Sequence, residues 1–439
     1  MVYLEDPRPL LAWIAARCRF AVLSFNDASD PARRARQHWR SDWSLADFEE
    51  ALEALDLRVL ASRDPGVGER VYALACPGDE VPRVEVLAPR EKVGPGTPVG
   101  GRRPRLALFT SALRGTNSGD ALIEDAVRRL LPGCDFERLP LNHAPSDEEL
   151  ARAEACDLGV LCGTNLYQRV FASGLGNRVL DRLDLPLLPL GVGGSAPLDE
   201  PIVMDDDGVR AVRRIHERCP RASVRDPESL RFLARIGVTN AVLTGCPVLF
   251  HGLAEPRFEA VPEGPLHVSI RARLLHIDAA WQERSLRTLD RLARELRPVL
   301  VMQSPFDFAI AHVLAKRYDL ELRFDPEMQV GPLVASARTC GATLGYRLHY
   351  GMLCLAYGRP ARFIGTDTRT ASFCELMGLA HLDIRRAGDD EVLRLARAPL
   401  EDPRGFVARW RTLAGRLAEV LAANGLPCAL DAAAEPVTA

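Results

Sequence analysis

The sequence predicts an α/β protein built from two doubly wound, parallel-sheet lobes, with a small α/β unit in front of them. Three observations carry that prediction. From Arg105 onward, short apolar runs alternate with helical patterns, as in a parallel sheet with crossover helices. The alternation occurs twice, and the proline- and charge-rich stretch Leu253 to Pro265 lies between the two sets as a hinge. The stretch Pro89 to Pro104, PREKVGPGTPVGGRRP, can hold neither a helix nor a central strand, so it isolates what precedes it. The predicted organisation is a unit at 1–88, a linker at 89–104, a first Rossmann-like lobe at 105–262, and a second at 263–425 that ends in a C-terminal helix.

The first unit reads as helix, strand, helix and two strands. Arg19 to Phe25 is strand-like. Ser44 is a suitable N-cap for a helix whose Leu45, Phe48, Leu52 and Leu55 share an apolar face. Arg58–Ser62 and Arg70–Leu74 flank the turn residues Asp64-Pro65-Gly66, a hairpin signal. Over about residues 10–76 this order resembles the closing strand–helix–hairpin portion of a class I methyltransferase. The glycine-rich loop that would hold a methyl donor is absent, so docking or dimerisation is the expected role.

In the first lobe, Leu106–Phe109, Leu158–Leu161, Pro186–Gly191, Ala222–Val224 and Ala241–Leu243 are buried-strand candidates. Helical patterns run from Asp120 to Leu131 and from Pro227 to Ile236. In the second lobe the candidates are Leu266–Ile270, Pro298–Met302, Ala342–Gly345 and Ala361–Gly365. Pro403 to Ala423 is an amphipathic helix with Phe406, Trp410, Leu413 and Leu417 along one face. Which lobe it packs on is not legible. Asp431 to Ala439 reads as a frayed end.

Composition narrows the function. The 439 residues are 47% apolar and 26% charged, enough for packed cores. A net charge of −3 leaves no basic footprint for nucleic acid. Lys92 and Lys316 are the only lysines, so nearly all positive charge is arginine, the residue suited to bidentate recognition of phosphate and carboxylate. A GC-rich genome explains the same bias without function. The eleven cysteines are scattered and form no CxxC pair, which argues against a disulfide framework and a zinc site. No signal peptide and no membrane-length apolar run is present, so a reducing cytoplasm is the expected compartment. No metal and no cofactor is expected, and a homo-oligomer is compatible with the chain.

Five segments could carry chemistry, each at the end of a strand. Arg114-Gly115-Thr116-Asn117-Ser118-Gly119-Asp120 opens a helix. It could present backbone N–H groups to an anion, or be an ordinary turn capped by Asp120. Cys162-Gly163-Thr164-Asn165 and Gly191-Val192-Gly193-Gly194-Ser195 place small residues at the sheet edge, for a cleft or simply for close packing. In Val224-Arg225-Asp226-Pro227-Glu228-Ser229, Pro227 suits the first helical position. Arg225 either reaches into the cleft for an anion or pairs with Asp226 or Glu228. In Gly345-Tyr346-Arg347-Leu348-His349, a cation and an imidazole two residues apart could hold an anion and move a proton. The plain reading is a structural histidine. His216 and His312 lie in helical patterns and receive no role; His251, His267 and His276 stay ambiguous.

Taken in order, Asn117-Ser118-Gly119-Asp120, Val224-Arg225-Asp226 with Ser229, and Arg347-Leu348-His349 resemble the polysaccharide pyruvyl transferase family. Ala356-Tyr357-Gly358-Arg359-Pro360 and Thr366-Asp367-Thr368-Arg369 also fit, and the resemblance spans about residues 105–380. It implies a GT-B-like arrangement of the two lobes. It also implies transfer of a pyruvyl group from phosphoenolpyruvate, as donor substrate, to two hydroxyls of a sugar or glycan-precursor acceptor. Carried over residue by residue, Arg225 and Arg347 would bind the donor's phosphate and carboxylate, and His349 would be the general acid or base. The candidate catalytic residues are therefore His349 and Asp120. The candidate binding residues are Arg225, Arg347, Arg369, Gly193, Asn117, Ser118 and Gly119. The sequence departs from the family where Cys162-Gly163-Thr164-Asn165 replaces three glycines, and at Thr244-Gly245-Cys246-Pro247, where many relatives carry an acidic residue before proline. Two other readings remain: a GT-B-like transferase using a nucleotide sugar or a natural-product acceptor, and a non-catalytic binding protein on the same fold.

Overall fold

The computed structural model describes residues 20–26, 45–63, 69–75, 103–114, 117–141, 145–168, 183–259, 263–271, 279–325, 327–383 and 385–430, with a few single positions before residue 20. Ser44, the Asp64–Gly66 turn, Gly115, Thr116, His276, residues 89–102 of the linker and the tail from Asp431 lie outside them.

The first unit is a three-stranded antiparallel sheet. Its strands β1 (Phe20–Asn26), β2 (Arg58–Arg63) and β3 (Glu69–Ala75) lie in the order β1-β3-β2. Helix α1 (Leu45–Ala54) connects β1 to β2 and buries Phe48 and Leu52.

The first lobe is a parallel sheet. Strands β4 (Arg105–Thr110), β5 (Asp135–Pro140), β6 (Leu158–Cys162) and β8 (Leu187–Leu190) lie in the order β5-β4-β6-β8. The pair β10 (Ala222–Val224) and β11 (Ala241–Leu243) continues it through a parallel bridge from Val192 to Val224. A short second pair, β7 (Asn165–Tyr167) and β9 (Gly193–Gly194), stands beyond the carboxyl ends of β6 and β8. The lobe's main helices are α2 (Ser118–Leu130), α3 (Asp147–Glu154), α4 (Asp206–His216) and α5 (Pro227–Arg235). β5 was not legible, because Asp135-Phe136-Glu137-Arg138 breaks the apolar run of a buried strand and the strand sits at the sheet edge.

The second lobe is one six-stranded parallel sheet in the order β14-β13-β12-β15-β16-β17. Its strands are β12 (Leu266–Ser269), β13 (Val299–Val301), β14 (Leu322–Arg323), β15 (Ala342–Gly345), β16 (Ala361–Gly365) and β17 (His381–Asp383). In chain order this is 3-2-1-4-5-6, the order of the dinucleotide-binding Rossmann sheet. Both edge strands escaped prediction, since two or three half-buried residues make no periodic signal. The helices are α6 (Ala279–Leu296), α7 (Phe308–Tyr318), α8 (Val330–Thr339), α9 (Leu348–Ala356), α10 (Thr368–Met377), α11 (Asp389–Arg397) and α12 (Pro403–Ala423).

The lobes are not independent cores. One apolar cluster runs from Leu106 and Leu108 of β4 through Val127 of α2 to Tyr350 and Leu353 of α9 and Phe406 of α12. Helix α12 leaves the second lobe and packs on β10 and β11 of the first. There the Trp410 indole N–H donates to the Leu249 carbonyl at 3.0 Å, and the ring meets Phe250 at 5.4 Å. Polar ties cross the same seam. Thr368 N–H donates to the Ala196 carbonyl at 3.1 Å, and Glu228 N–H to Ser372 Oγ at 2.9 Å. Among the described residues, no helix is long and apolar enough to cross a membrane.

Candidate active site

A parallel sheet turns its strand carboxyl ends to one side. A crevice opens there where neighbouring strands send their connections to opposite faces. In the second lobe that point lies between β12 and β15. Arg271 stands two residues past the end of β12, and Arg347 and His349 follow β15. Gln303 follows β13, and Asp367 and Arg369 follow β16. The first lobe supplies Asn117 after β4, Asn165 after β6, Gly193 after β8 and Arg225 after β10. Topology therefore brings these segments to one seam between the lobes.

On the second-lobe side the charges interlock. Arg347 is the residue before α9. Its backbone N–H donates to Ser269 Oγ at 3.3 Å, its Nε–H to the Ile270 carbonyl at 3.0 Å, and its Nη2 reaches the buried carboxylate of Asp307. Asp367 caps α10 and pairs with Arg369, whose Nε lies 3.1 Å away, while Arg271 Nη1 sits 3.5 Å from the same carboxylate. Burial alone would raise the Asp367 pKa. Arg369, then Arg271 and Arg225, overcome it and hold the carboxyl at about 2. Arg271 is a guanidinium under stress: burial first, then Arg369 and Arg347, pull its pKa down to about 9. Three guanidinium groups in mutual repulsion are chemically suited to an anion.

On the first-lobe side, Arg225 is 2% exposed, and the protein itself takes one N–H from each of its nitrogens. Nε–H donates to Asp226 at 2.9 Å, Nη1–H to Asn165 Oδ1 at 3.1 Å and Nη2–H to the Gly194 carbonyl at 2.8 Å. Asp226 in turn caps α5, accepting from Ser229 N–H at 2.9 Å, with Pro227 in the first helical turn. Gly193 is glycine for a steric reason: a Cβ there would stand 2.7 Å from Arg225 Nη2. The pairing with Asp226 that the sequence allowed is thus real, but it occurs in the interior and not at the surface. The departure at Asn165 holds the same guanidinium. Thr244, which opens the other departing segment, is buried and shares a 2.5 Å hydrogen bond with Ser223.

The turn before α2 differs from the expected geometry. Asn117, not Asp120, is the N-cap, its side chain accepting from Gly119 N–H at 3.1 Å. Ser118 N–H donates across the seam to the Gln303 carbonyl at 2.9 Å. These two amides are therefore engaged within the protein and are not presented to an anion. Asp120 lies in the first helical turn, near enough to Arg369 to favour its charged form.

His349 sits where the two halves meet. Its Nε2 is buried without a hydrogen-bond partner. Burial, then Arg225, Arg369 and Arg347 in that order, lower its pKa to about 3, so the imidazole is neutral near pH 7. Arg225 and Arg347, from opposite lobes, thus both act on His349. Gly119 gives the ring its space: a Cβ there would fall 3.0 Å from His349 Nδ1 and 3.1 Å from Asn117 Oδ1. Three other described histidines have different surroundings. His216 bonds Tyr167 at 3.0 Å, His251 bridges Asp125 and Tyr357 at 2.9 Å each, and His267 meets Tyr350 at 2.6 Å.

Sequence reasoning missed Arg271, Asp307 and Gln303. Arg271 and Gln303 carried one available signal, a polar residue just past a buried strand. Asp307 lay in a segment, Gln303-Ser304-Pro305-Phe306-Asp307, that reads as a plain loop.

Comparison with known proteins gives the following. The family model described as polysaccharide pyruvyl transferase matches residues 117–368. No curated relative matches the chain in sequence. Among solved structures, a UDP-GlcNAc 2-epimerase from Methanocaldococcus jannaschii, in complex with UDP-GlcNAc and UDP, is similar at 12% identity and a TM-score of 0.41, covering 70% of this chain and 98% of that one. A UDP-N-acetylglucosamine 2-epimerase from Rickettsia bellii is similar at 11% identity and a TM-score of 0.44, covering 73% and 95%. A glycosyltransferase from Streptomyces nogalater is similar at 15% identity and a TM-score of 0.33, covering 76% and 99%.

Proposed function

This chain belongs to the polysaccharide pyruvyl transferase family and is a transferase, and from that premise we propose that it moves a pyruvyl group from phosphoenolpyruvate to a sugar-like acceptor. The observation that carries the reading is a neutral, unpartnered His349 nitrogen flanked by arginines of both lobes. The donor has two anionic groups, a phosphate and a carboxylate. Arg271, Arg347 and Arg369 would hold them, with Asp307 and Asp367 fixing the guanidinium planes. Arg225, already engaged with Asp226, Asn165 and Gly194, would contribute positive potential and hold the β7–β9 segment.

The chemistry needs two protons moved, one from each acceptor hydroxyl. An acceptor hydroxyl adds to the donor's C2 while C3 takes a proton. Phosphate then leaves with the electron pair of the C2–O bond, and a second hydroxyl closes the ketal, giving its proton to the departing phosphate. A neutral imidazole can take the proton of the first hydroxyl. The donor's anionic groups, bound beside it, would offset the arginines and raise its basicity, and the imidazolium then passes that proton to C3. The same site requires no metal for this sequence of steps. Its setting would be the cytoplasm, where phosphoenolpyruvate is made.

The test is incubation with phosphoenolpyruvate and a panel of sugar acceptors, following inorganic phosphate release and an acceptor mass gain of one pyruvyl ketal. Calorimetry should detect donor binding to the protein alone. Absence of donor binding, with a folded protein, overturns the reading.

A further inference from the structure

We propose that Gln303 contacts the substrate: its side-chain amide donates a hydrogen bond to an anionic oxygen of the donor, beside His349. The proposal deepens the reading above and rests on its premise that the seam binds an anion. Four observations place Gln303 there. The residue is 1% exposed, yet its Nε2 has no hydrogen-bond partner. A buried amide N–H left unpaired is costly and is retained where something else completes it. The neighbouring polar atom in the same condition is His349 Nε2. Both side chains face the bare Cα of Gly119: a Cβ there would stand 3.5 Å from Gln303 Nε2 and 3.0 Å from His349 Nδ1.

Position makes the assignment sharper. The Gln303 carbonyl accepts both the Ser118 backbone N–H, at 2.9 Å, and the Ser118 hydroxyl, at 3.3 Å. Gln303 belongs to the second lobe and Ser118 to the first, so this clasp pins Gln303 at the seam. Its amide can then point into the site without drifting. An N–H donor among arginines suits an acceptor oxygen carrying negative charge, as on a carboxylate or a phosphate.

The experiment compares wild type with Gln303→Met, which keeps the length and removes the donor, and Gln303→Glu, which keeps the shape and adds negative charge. Binding of phosphoenolpyruvate and of inorganic phosphate is measured by calorimetry, with thermal unfolding alongside. The expected result is a loss of about ten- to hundredfold in affinity for Gln303→Met at an unchanged unfolding temperature. Gln303→Glu should lose more at pH 8 and recover part of the loss at pH 5. Equal affinity for wild type and Gln303→Met overturns the proposal. So does a lowered unfolding temperature with affinity intact, which marks a packing role. If Gln303→Met does not fold, the pH dependence of Gln303→Glu decides: no change in affinity between pH 8 and pH 5 beyond that of wild type overturns it. If wild type binds phosphate but not phosphoenolpyruvate, the donor reading fails, and a weaker phosphate affinity in Gln303→Met still supports Gln303. If wild type binds neither, both fall.

Discussion

At the scale of single residues, the site is a balance of burial against charge. His349 is neutral because it is buried and stands among three arginines. Its imidazole resonances should therefore stay in the neutral position down to below pH 5 when followed by NMR. A transition near pH 6.5 would contradict the described environment. Replacing it with glutamine removes proton transfer and should lower kcat by about 10² to 10⁴ while donor affinity changes little. Arg347→Lys keeps the charge but gives up the paired contacts to Ile270 and Asp307, so its main effect should be a raised KM for the donor. Gly119→Ala offers a finer probe. The new methyl would press on His349 Nδ1 and Asn117 Oδ1, and the ring must shift by a few tenths of an ångström. The expected outcome is a loss of about tenfold in kcat with unfolding temperature nearly constant; full activity would mean that the ring position is not critical.

At the scale of elements, the strand ends carry the site and α12 binds the lobes. The helix was legible as an amphipathic segment from Phe406, Trp410, Leu413 and Leu417, and its bounds Pro403–Ala423 follow from Asp402 as N-cap and Pro403 in the first turn. Its destination was not legible, because an apolar face states only that something covers it. The structure places it across the first lobe, with Trp410 sealed against Phe250 and hydrogen-bonded to Leu249. Trp410→Ala should cost about 3–5 kcal/mol in a urea titration. A loss below about 1 kcal/mol would mean that α12 does not hold the lobes together. The segment at Asn117–Asp120 teaches the same lesson. Its small residues and helix start were readable. That Asn117 caps the helix, and that Ser118 spends its amide on the other lobe, depends on Gln303 being there.

At the scale of the whole molecule, the interior stores histidines in neutral form. Burial holds His216 at about 4 and His267 and His349 at about 3. Each folded value lies below the ordinary 6.5. Between about pH 6.5 and pH 4, the unfolded chain therefore binds protons that the native protein does not. Stability is full above pH 6.5 and falls as pH drops through that window, by up to about 1.4 kcal/mol per pH unit for each histidine. Urea midpoints at pH 7, 6 and 5 should decline in that order; a constant midpoint would show that these groups are hydrated and titrate normally.

The sequence by itself determined the α/β class, the repeated strand–helix alternation, and the ordered motifs at Asn117–Asp120, Arg225–Ser229 and Arg347–His349. Those features are local: apolar runs, caps and turn residues act within a few positions, and strand ends mark where a cleft can form. Only the tertiary structure decided that Arg225 spends donors on Asn165 and Gly194, that Arg271 joins Arg347 and Arg369, and that Gln303 and His349 both face Gly119. The reason is physical. A guanidinium's partner, a histidine's proton and an amide's vacancy are set by groups tens to hundreds of residues away in sequence. Burial and the electrostatics of the seam exist only once the two sheets face each other.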